Sequence, residues 1–286
     1  HPIRIIMLNT ICHYILQWVE DNLDTGKNIN DLVQTIGYSR KTVEMWFYKR
    51  YGITIGGYLF KRRMSRASVL LKLTHMSITE IATLLHYSSS QNFARTFKKF
   101  SKKSPTEYRN SEYWDITTMY PSLLYHFDIK HTRKIKMTNT FFYGKVYKIN
   151  ESFFYEAEVK NKNRLQNLIT NLFNSKHSDI LVCIEKIDNA TLYESRKGLI
   201  NVSIKAGVTS KKKYRGVNVM HEGMYYCADF SGSWQEYYLF TFHFFITAIS
   251  ANKLSLKNNM YYIYFHNTAQ DADDNVKCTI YAPQII

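Results

Sequence analysis

One segment near the N-terminus occurs twice, with the same order of apolar, acidic and turn residues. The first copy is residues 29–39 (INDLVQTIGYS) and the second is residues 78–88 (ITEIATLLHYS), an offset of 49 residues. Past the shared Tyr-Ser the offset becomes 50, so that Phe47 matches Phe97. Each copy has the pattern of a short helix, a tight turn and a second helix. The sequence therefore predicts two helix-turn-helix units in tandem.

The positive charge of the chain is concentrated in the part that contains the repeat. The whole chain has a formal net charge of +15, and residues 1–110 carry 17 Lys and Arg against 7 Asp and Glu. A basic surface alone is weak evidence, because charge often serves only solubility. Combined with tandem helix-turn-helix units it indicates double-stranded DNA as the partner, with one helix of each unit in a major groove.

Capping residues set the expected helix boundaries in this region. Asn28 and Ser77 each precede an acidic residue by three positions, which is the pattern of a capping box. Gly37 is expected to end the helix of the first copy in a left-handed conformation. A long helix from about 55 to 73 is expected between the copies. Its basic residues are predicted to face outward: Lys61, Arg62, Arg63 and Arg66.

The outward positions of the two predicted recognition helices are the candidate DNA-binding residues. In the first helix they are Arg40, Lys41, Thr42, Glu44, Met45, Tyr48 and Lys49. In the second they are Ser89, Ser90, Gln91, Asn92, Arg95, Thr96, Lys98 and Lys99.

The chemistry of these side chains divides them between bases and phosphates. Arg95 has the donor pair that matches guanine, and Gln91 and Asn92 match adenine. The lysines are expected to contact phosphates, which fixes register without carrying sequence information. Two interpretations of Glu44 stay open: it accepts a hydrogen bond from cytosine, or it pairs with a neighbouring lysine and contacts no base.

The second half of the chain has alternating Tyr, Phe, Val and Ile, typical of strands. Strands are predicted at 141–149, 180–187, 199–206, 224–230, 261–266 and 276–282, with helices at 163–173 and 234–250. This is β-α-β-β written twice. The predicted fold class is α+β: an all-α tandem helix-turn-helix domain over 7–112, a connector over 113–138, and an α+β domain of two such modules over 139–286.

Several motifs in the first half resemble the AraC/XylS family of transcription activators. They are Leu23-Asp24, Gly37-Tyr38-Ser39, Phe47-x-Lys49, Gly52-x-x-Ile55-Gly56-x-Tyr58, Arg62-Arg63, Phe97-Lys98-Lys99 and Ser104-Pro105-x-x-Tyr108-Arg109. The resemblance covers 8–112 continuously. It implies a monomeric activator that binds an asymmetric site and recruits RNA polymerase, with target genes in stress or multidrug tolerance. The first recognition helix departs from the family at Lys41, Glu44 and Met45, so an altered base preference is expected there.

From about residue 130 the chain resembles the GyrI-like effector domains, in strand order and in Gln235-Glu236 at the start of the second helix. That resemblance implies a small-molecule effector bound in an aromatic-lined concavity. The candidate ligand-binding residues are Tyr143, Tyr226, Trp234, Tyr262 and Tyr264. The alternative is that these aromatics form core. Tyr262 occupies the position where family members that bind cations carry a glutamate. The basic run 211–215 indicates an anion or a phosphate, or a solvated loop.

Other classes of function find little support in the sequence. The paired carboxylates Glu156 and Glu158 have no base nearby, His221-Glu222 lacks the second histidine of a zinc site, and no glycine-rich phosphate loop follows a strand. Neither an enzyme nor a cofactor or metal site is therefore expected. The four cysteines form no C-x-x-C motif, which predicts buried thiols in a reducing compartment. No apolar run reaches the roughly 20 residues of a membrane span. No signal peptide is expected, and the predicted location is the bacterial cytoplasm, at the nucleoid.

A second hypothesis for function has the β-rich half as the principal element. The chain is then a small-molecule-sensing or protein-interaction module whose DNA binding is weakly specific.

Overall fold

The computed structural model describes residues 2–111, 115, 118–124, 132–152, 163–187, 199–244, 260–268 and 274–284. The chain folds into two compact units. The helical unit comprises the described residues up to 111 together with 118–124, and the sheet unit comprises residue 115 and those from 132 onward.

The helical unit contains seven helices among its described residues. They are α1 (Pro2–Asp21), α2 (Ile29–Ile36), α3 (Arg40–Tyr51), α4 (Ile55–Leu73), α5 (Ile78–Leu84), α6 (Ser90–Ser101) and α7 (Pro105–Asn110). Both predicted capping boxes are present, at Asn28 and at Ser77. Helix α1 begins at Pro2 and therefore includes residues that precede 7, the predicted start of the domain.

The two turns have the same backbone conformation although their residues differ. Gly37 closes α2 with φ 75°, and the equivalent residue of the second copy, His86, has φ 60°. A side chain disfavours this left-handed region, but the His86 ring hydrogen-bonds the carbonyl of Asp24 through Nε2 at 2.8 Å. The second turn is therefore fixed by a side-chain contact where the first relies on glycine.

The prediction that the basic residues of α4 face outward is wrong for two of the four. Arg62 and Arg66 are only 7% and 5% exposed, and Arg63 is half-buried with its guanidinium on backbone carbonyls. Lys61 alone is exposed, with its ammonium 4.7 Å from the centre of the Tyr120 ring. A basic residue is buried at low cost only when it is paired, and α1 provides the partner for Arg62.

That partner is Glu20, which forms a buried two-point ion pair with Arg62. The guanidinium donates from Nε at 2.9 Å and from Nη2 at 2.9 Å, and the Tyr58 hydroxyl donates to the same carboxylate at 2.6 Å. Burial alone would raise the pKa of Glu20. The positive charge of Arg62 and the hydrogen bonds around the carboxylate outweigh burial, so the pKa lies below its ordinary value.

Residues 118–124, here called the return segment, fold back onto this ion pair. The Tyr120 carbonyl accepts from Arg62 Nη1 at 2.7 Å, and the Tyr120 amide donates to Ser65 Oγ at 2.7 Å. The Leu123 amide donates to the Tyr58 hydroxyl at 3.0 Å. Part of the region predicted as a connector is therefore packed on α4. Residues 113–114, 116–117 and 125–131 of that region lie outside the described residues.

Among the described residues of the sheet unit, eight strands form one antiparallel sheet. They are β1 (Arg133–Met137), β2 (Thr140–Ser152), β3 (Ile180–Ile187), β4 (Leu199–Ser210), β5 (Asn218–Met220), β6 (Gly223–Ser233), β7 (Met260–Phe265) and β8 (Asn275–Pro283). The helices described in this unit are α8 (Asn163–Lys176) and α9 (Trp234–His243). All six predicted strands and both helices are confirmed in type, with small boundary shifts. Residues 245–250 of the second predicted helix lie outside the described part of the chain.

The strand order reveals a twofold relation between the modules. The order across the sheet is β1-β6-β8-β7-β3-β4-β2-β5. Reversing this order and interchanging equivalent strands of the two modules (β1 with β5, β2 with β6, β3 with β7, β4 with β8) gives the same order again. Two short strands, β1 and β5, were absent from the prediction, so each module is β-β-α-β-β. Strand β1 pairs with β6 of the second module and β5 with β2 of the first. The modules thus exchange their edge strands, which covers edges that would otherwise be exposed.

One face of the sheet packs against α9 and is here called the helix face. The opposite face carries Tyr225, Tyr262 and Tyr281 and is here called the open face. On the helix face, Phe230 stacks on Phe240 of α9 with ring centres 4.8 Å apart. The open face carries a cluster to which both edge strands contribute, through Met137 of β1 and Met220 of β5. Because opposite edges of the strand order reach one cluster, the sheet is curled.

The structure also describes the state of the cysteines and the hydropathy of the helices. The four cysteines are all buried and form no disulfide, as expected. Within the described ranges no helix combines the length and apolarity required to cross a membrane.

Candidate nucleic-acid interface

Helix α3 is held to the unit by one buried side. Ser39 caps its N-terminus by accepting from the Thr42 amide at 3.2 Å, and Val43 and Phe47 are fully buried. Half-buried Trp46 packs edge-on against Tyr38 of the preceding turn, with ring centres 5.2 Å apart. The buried side of the helix fixes which residues remain on the outside.

Helix α6 repeats this arrangement 50 residues later. Ser89 caps it by accepting from the Asn92 amide at 3.1 Å, and Phe93 and Phe97 take the buried positions of Val43 and Phe47. Phe97 contacts Tyr108 of α7 edge-on at 5.2 Å. Both helices therefore present the same helical positions outward.

In α3 the predicted outward residues fall into two groups. Five are exposed, and both Met45 and Tyr48 expose 58% of their surface; the five are Arg40, Lys41, Met45, Tyr48 and Lys49. Thr42 and Glu44 are partly buried. Arg40 also donates to Asn30 at 3.2 Å, which ties the start of α3 to α2.

Glu44 has a contact that neither interpretation of the sequence anticipated. Its carboxylate accepts from the backbone amide of Ile55, the first residue of α4, at 3.1 Å. Anions are stabilised at a helix N-terminus, where amides lack intrahelical acceptors. In this structure Glu44 joins α3 to α4, and it forms an ion pair with neither Lys41 nor Lys49.

In α6 the exposed members of the predicted set include Arg95. The exposed residues are Ser89, Gln91, Arg95, Lys98 and Lys99. Ser90, Asn92 and Thr96 are partly buried, and Asn92 donates to Ser88 Oγ at 3.2 Å. Arg95 has no hydrogen bond or ion pair to another described residue, so its guanidinium is available to a ligand.

Helix α4 connects the two recognition helices within the unit. Its Ile55, Tyr58 and Leu59 belong to the core of the first copy, and its later turns contact α5, α6 and α7. Phe60 contacts Phe100 of α6 edge-on at 6.2 Å. The 19 residues of α4 span about 28 Å at 1.5 Å per residue. That length is comparable to one turn of duplex DNA, roughly 34 Å.

The five predicted ligand-binding aromatics do not form one site. Trp234 and Tyr226 lie on the helix face, where Trp234 packs on Phe265 at 5.6 Å. Tyr262 and Tyr264 lie on the open face. Tyr143 is engaged with the loop after β4, where its hydroxyl donates to the Lys212 carbonyl at 3.1 Å. Alternation along a strand assigns each residue to one of the two faces of the sheet, and the predicted residues divide between them.

Applying strand alternation identifies the residues that sequence reasoning missed. Tyr225 contacts Tyr262 at 6.1 Å and Tyr281 at 6.4 Å between ring centres, all on the open face. Burial raises the pKa of Tyr262. Glu185 of β3 lies on this face too, and is paired with Lys205 at 3.6 Å. The open face thus has a carboxylate, although Tyr262 occupies the position of the expected glutamate.

Comparison with known proteins places the helical unit among transcription regulators. A family model described as "Helix-turn-helix domain" matches residues 32–111. The HTH-type transcriptional regulator YkgA of Escherichia coli is 39% identical over 153 residues, covering 53% of this chain and 62% of that protein. The HTH-type transcriptional activator AarP of Providencia stuartii is 32% identical over 117 residues, covering 40% of this chain and 87% of AarP.

The right origin-binding protein of Escherichia coli, Rob, is 34% identical over 109 residues, which is 38% of each chain. The chain therefore spans less than two thirds of the length of YkgA and of Rob, and most of the length of AarP. These relatives confirm the predicted family.

Proposed function

The chain belongs to the AraC/XylS family of helix-turn-helix transcription regulators, and on that basis we propose that it binds duplex DNA sequence-specifically. As a monomer it inserts α3 and α6 into two adjacent major-groove segments. The observation that carries this proposal is the pair of equivalent helices α3 and α6, each capped, buried on one side and exposed with basic residues on the other. The basic charge of residues 1–110 supports a polyanionic partner.

The rigid connection through α4 supports binding to one face of the duplex. Major grooves on one face recur about every helical turn, roughly 34 Å. Helix α4 packs into both copies and spans about 28 Å, so it sets a spacing of the right order. An asymmetric site follows, because α3 and α6 carry different side chains at equivalent positions.

Contacts to bases and to phosphates are divided by side-chain type. We assign base contacts to Arg95 and Gln91 of α6, and to Lys41 and Met45 of α3. Phosphate contacts are assigned to Lys49, Lys98 and Lys99. Glu44 is assigned a positioning role, since its carboxylate is engaged with the start of α4.

Replacing Arg95 separates base recognition from phosphate binding. Arg95→Ala is expected to weaken binding to the preferred site by about 1–3 kcal/mol and to relax the preference at one base pair. The reason is loss of a two-point donor to guanine. Fluorescence anisotropy on duplexes that vary one base pair at a time measures both effects.

Lys98→Ala is the matched control on the same helix. It is expected to weaken all sequences to a similar degree and to lower the salt slope by about 1. If Arg95→Ala also weakened every duplex equally, Arg95 would be a phosphate contact and its assignment to a base would be wrong.

The remaining properties are carried from the family and from named relatives. We propose that the chain activates transcription through RNA polymerase; the relative AarP is a transcriptional activator by name. Target genes in stress or multidrug tolerance, and action in the bacterial cytoplasm at the nucleoid, rest on the family resemblance alone. Transcription in vitro tests activation, from a promoter that carries the preferred site selected from a randomised duplex pool. RNA output rises with added protein if the proposal is right.

A second candidate function is effector sensing by a GyrI-like sheet unit, whose sheet begins with β1 at Arg133. It is favoured by the open-face cluster of Tyr225, Tyr262 and Tyr281 beside the Glu185–Lys205 pair. Aromatic rings with few polar groups suit an apolar ligand. Ligand-dependent thermal shift of the full chain, compared with Tyr262→Leu, tests this function independently of DNA.

A further inference from the structure

The loop between β4 and β5 is the most basic described segment of the sheet unit. Residues 211–215 (KKKYR) place four cations within five positions, and all five residues are exposed. None of these cations forms an ion pair with a described carboxylate. The recognition helices proposed above do not account for this loop, because it belongs to the other unit.

The backbone of the loop is held by hydrogen bonds to Tyr143 of β2. The Tyr143 hydroxyl donates to the Lys212 carbonyl at 3.1 Å and accepts from the Tyr214 amide. The Lys212 amide donates to Ser210 Oγ at 3.1 Å. Gly216 takes φ 81°, a left-handed turn that favours glycine. The loop is therefore an ordered turn held at both sides.

An aromatic ring stands among these cations. Tyr214 exposes 58% of its surface, and its ring lies 5.6 Å from that of Tyr143. An ordered loop binds with a smaller entropic cost than a flexible lysine tail, since its backbone is already fixed. Lysine and arginine with an interleaved tyrosine provide donors for phosphate oxygens and a ring for sugar or base contact.

We propose that the loop 211–215 is a second DNA contact, which binds backbone phosphates of duplex flanking the site recognised by α3 and α6. This inference rests on the proposed DNA-binding function. Four cations without carboxylate partners favour a polyphosphate over an acidic protein surface, because each phosphate contact releases condensed counterions. Tethering to the helical unit raises the effective concentration of the loop near bound DNA.

The test uses the full chain and two duplexes that carry the same selected site. The short duplex ends at the site, and the long one adds about one and a half helical turns on each side. The test variant changes Lys211, Lys212, Lys213 and Arg215 to Gln. The control variant makes the same charge change at scattered exposed lysines of the sheet unit: Lys136, Lys148, Lys176 and Lys277.

For the wild type we expect tighter binding and a steeper salt dependence on the long duplex than on the short one. The test variant should lose about tenfold in affinity on the long duplex, and its slope of log K against log salt should flatten by about 2–3. Its affinity for the short duplex should be unchanged. The control variant should retain most of the wild-type difference between the duplexes.

Two results would overturn the inference while leaving the proposed function in place. One is a test variant that behaves as wild type on the long duplex. The other is an equal loss in test and control variants, which would reflect net charge alone. Failure of the wild type to prefer the selected site over random duplex would instead contradict the proposed function itself.

Discussion

Glu20→Ala should destabilise the helical unit by about 3–5 kcal/mol, because it leaves the Arg62 guanidinium buried without its counter-charge. The carboxylate is 4% exposed and accepts from both Arg62 and Tyr58. Loss of the carboxylate also weakens the attachment of the return segment, because Arg62 and Tyr58 hydrogen-bond the backbone of residues 120 and 123. Urea denaturation followed by far-UV circular dichroism measures the loss, and hydrogen exchange should show faster exchange in α1 and α4.

Two further variants isolate the buried charge as the cause. Asp21→Ala removes the neighbouring carboxylate of α1, which is exposed, and should change stability by less than about 0.5 kcal/mol. The double replacement Glu20→Leu with Arg62→Met should recover much of the loss, because an apolar pair avoids the unpaired charge. A cost below about 1 kcal/mol for Glu20→Ala would mean that the ion pair contributes little.

Gly144→Ala should disrupt pairing between β2 and β4. A Cβ on Gly144 would lie 1.6 Å from the Ala206 carbonyl oxygen, and one on the facing Gly207 would lie 1.9 Å from the Tyr143 carbonyl oxygen. The obstructing atoms are backbone, so the strands themselves must move apart. We expect a loss of about 3 kcal/mol or more, at the upper end for overpacking. Hydrogen exchange should accelerate in β2 and β4 while the helical unit stays protected.

Val146→Ala is the control for that experiment. It lies two residues further along β2, with 55% of its surface exposed, and should alter stability by less than about 0.5 kcal/mol. If hydrogen exchange in β2 and β4 of Gly144→Ala were as slow as in the wild type, close approach of the two backbones at Gly144 would be contradicted.

The duplicated segment made most of the helical unit predictable. Caps at Asn28 and Ser77 and apolar positions at helical spacing are local signals, and the structure agrees with them. The Glu20–Arg62 pair is not local: 42 positions separate the partners. A charged residue on a helix is normally expected outside, so only the three-dimensional packing of α1 on α4 reveals that Arg62 is buried.

In the sheet unit the order of elements was predictable and the pairing was not. Alternating aromatic and β-branched residues located six strands, but β5 has only three residues, too few for a periodic signal. The exchange of edge strands between modules depends on contacts distant in sequence. Tyr143, Tyr226 and Trp234 were predicted to line one site because they are aromatic. Residue type alone does not determine on which face of the sheet a side chain lies.

Selection from a randomised duplex pool at fixed physiological salt tests the central claim most directly. Binding by two recognition helices of one monomer predicts a single asymmetric motif with two conserved boxes about one helical turn apart. The box read by α3 should differ from that read by α6, since Lys41 and Met45 stand where α6 has Gln91 and Arg95. Uniform retention of the pool, with no enriched motif, would contradict sequence-specific recognition by α3 and α6.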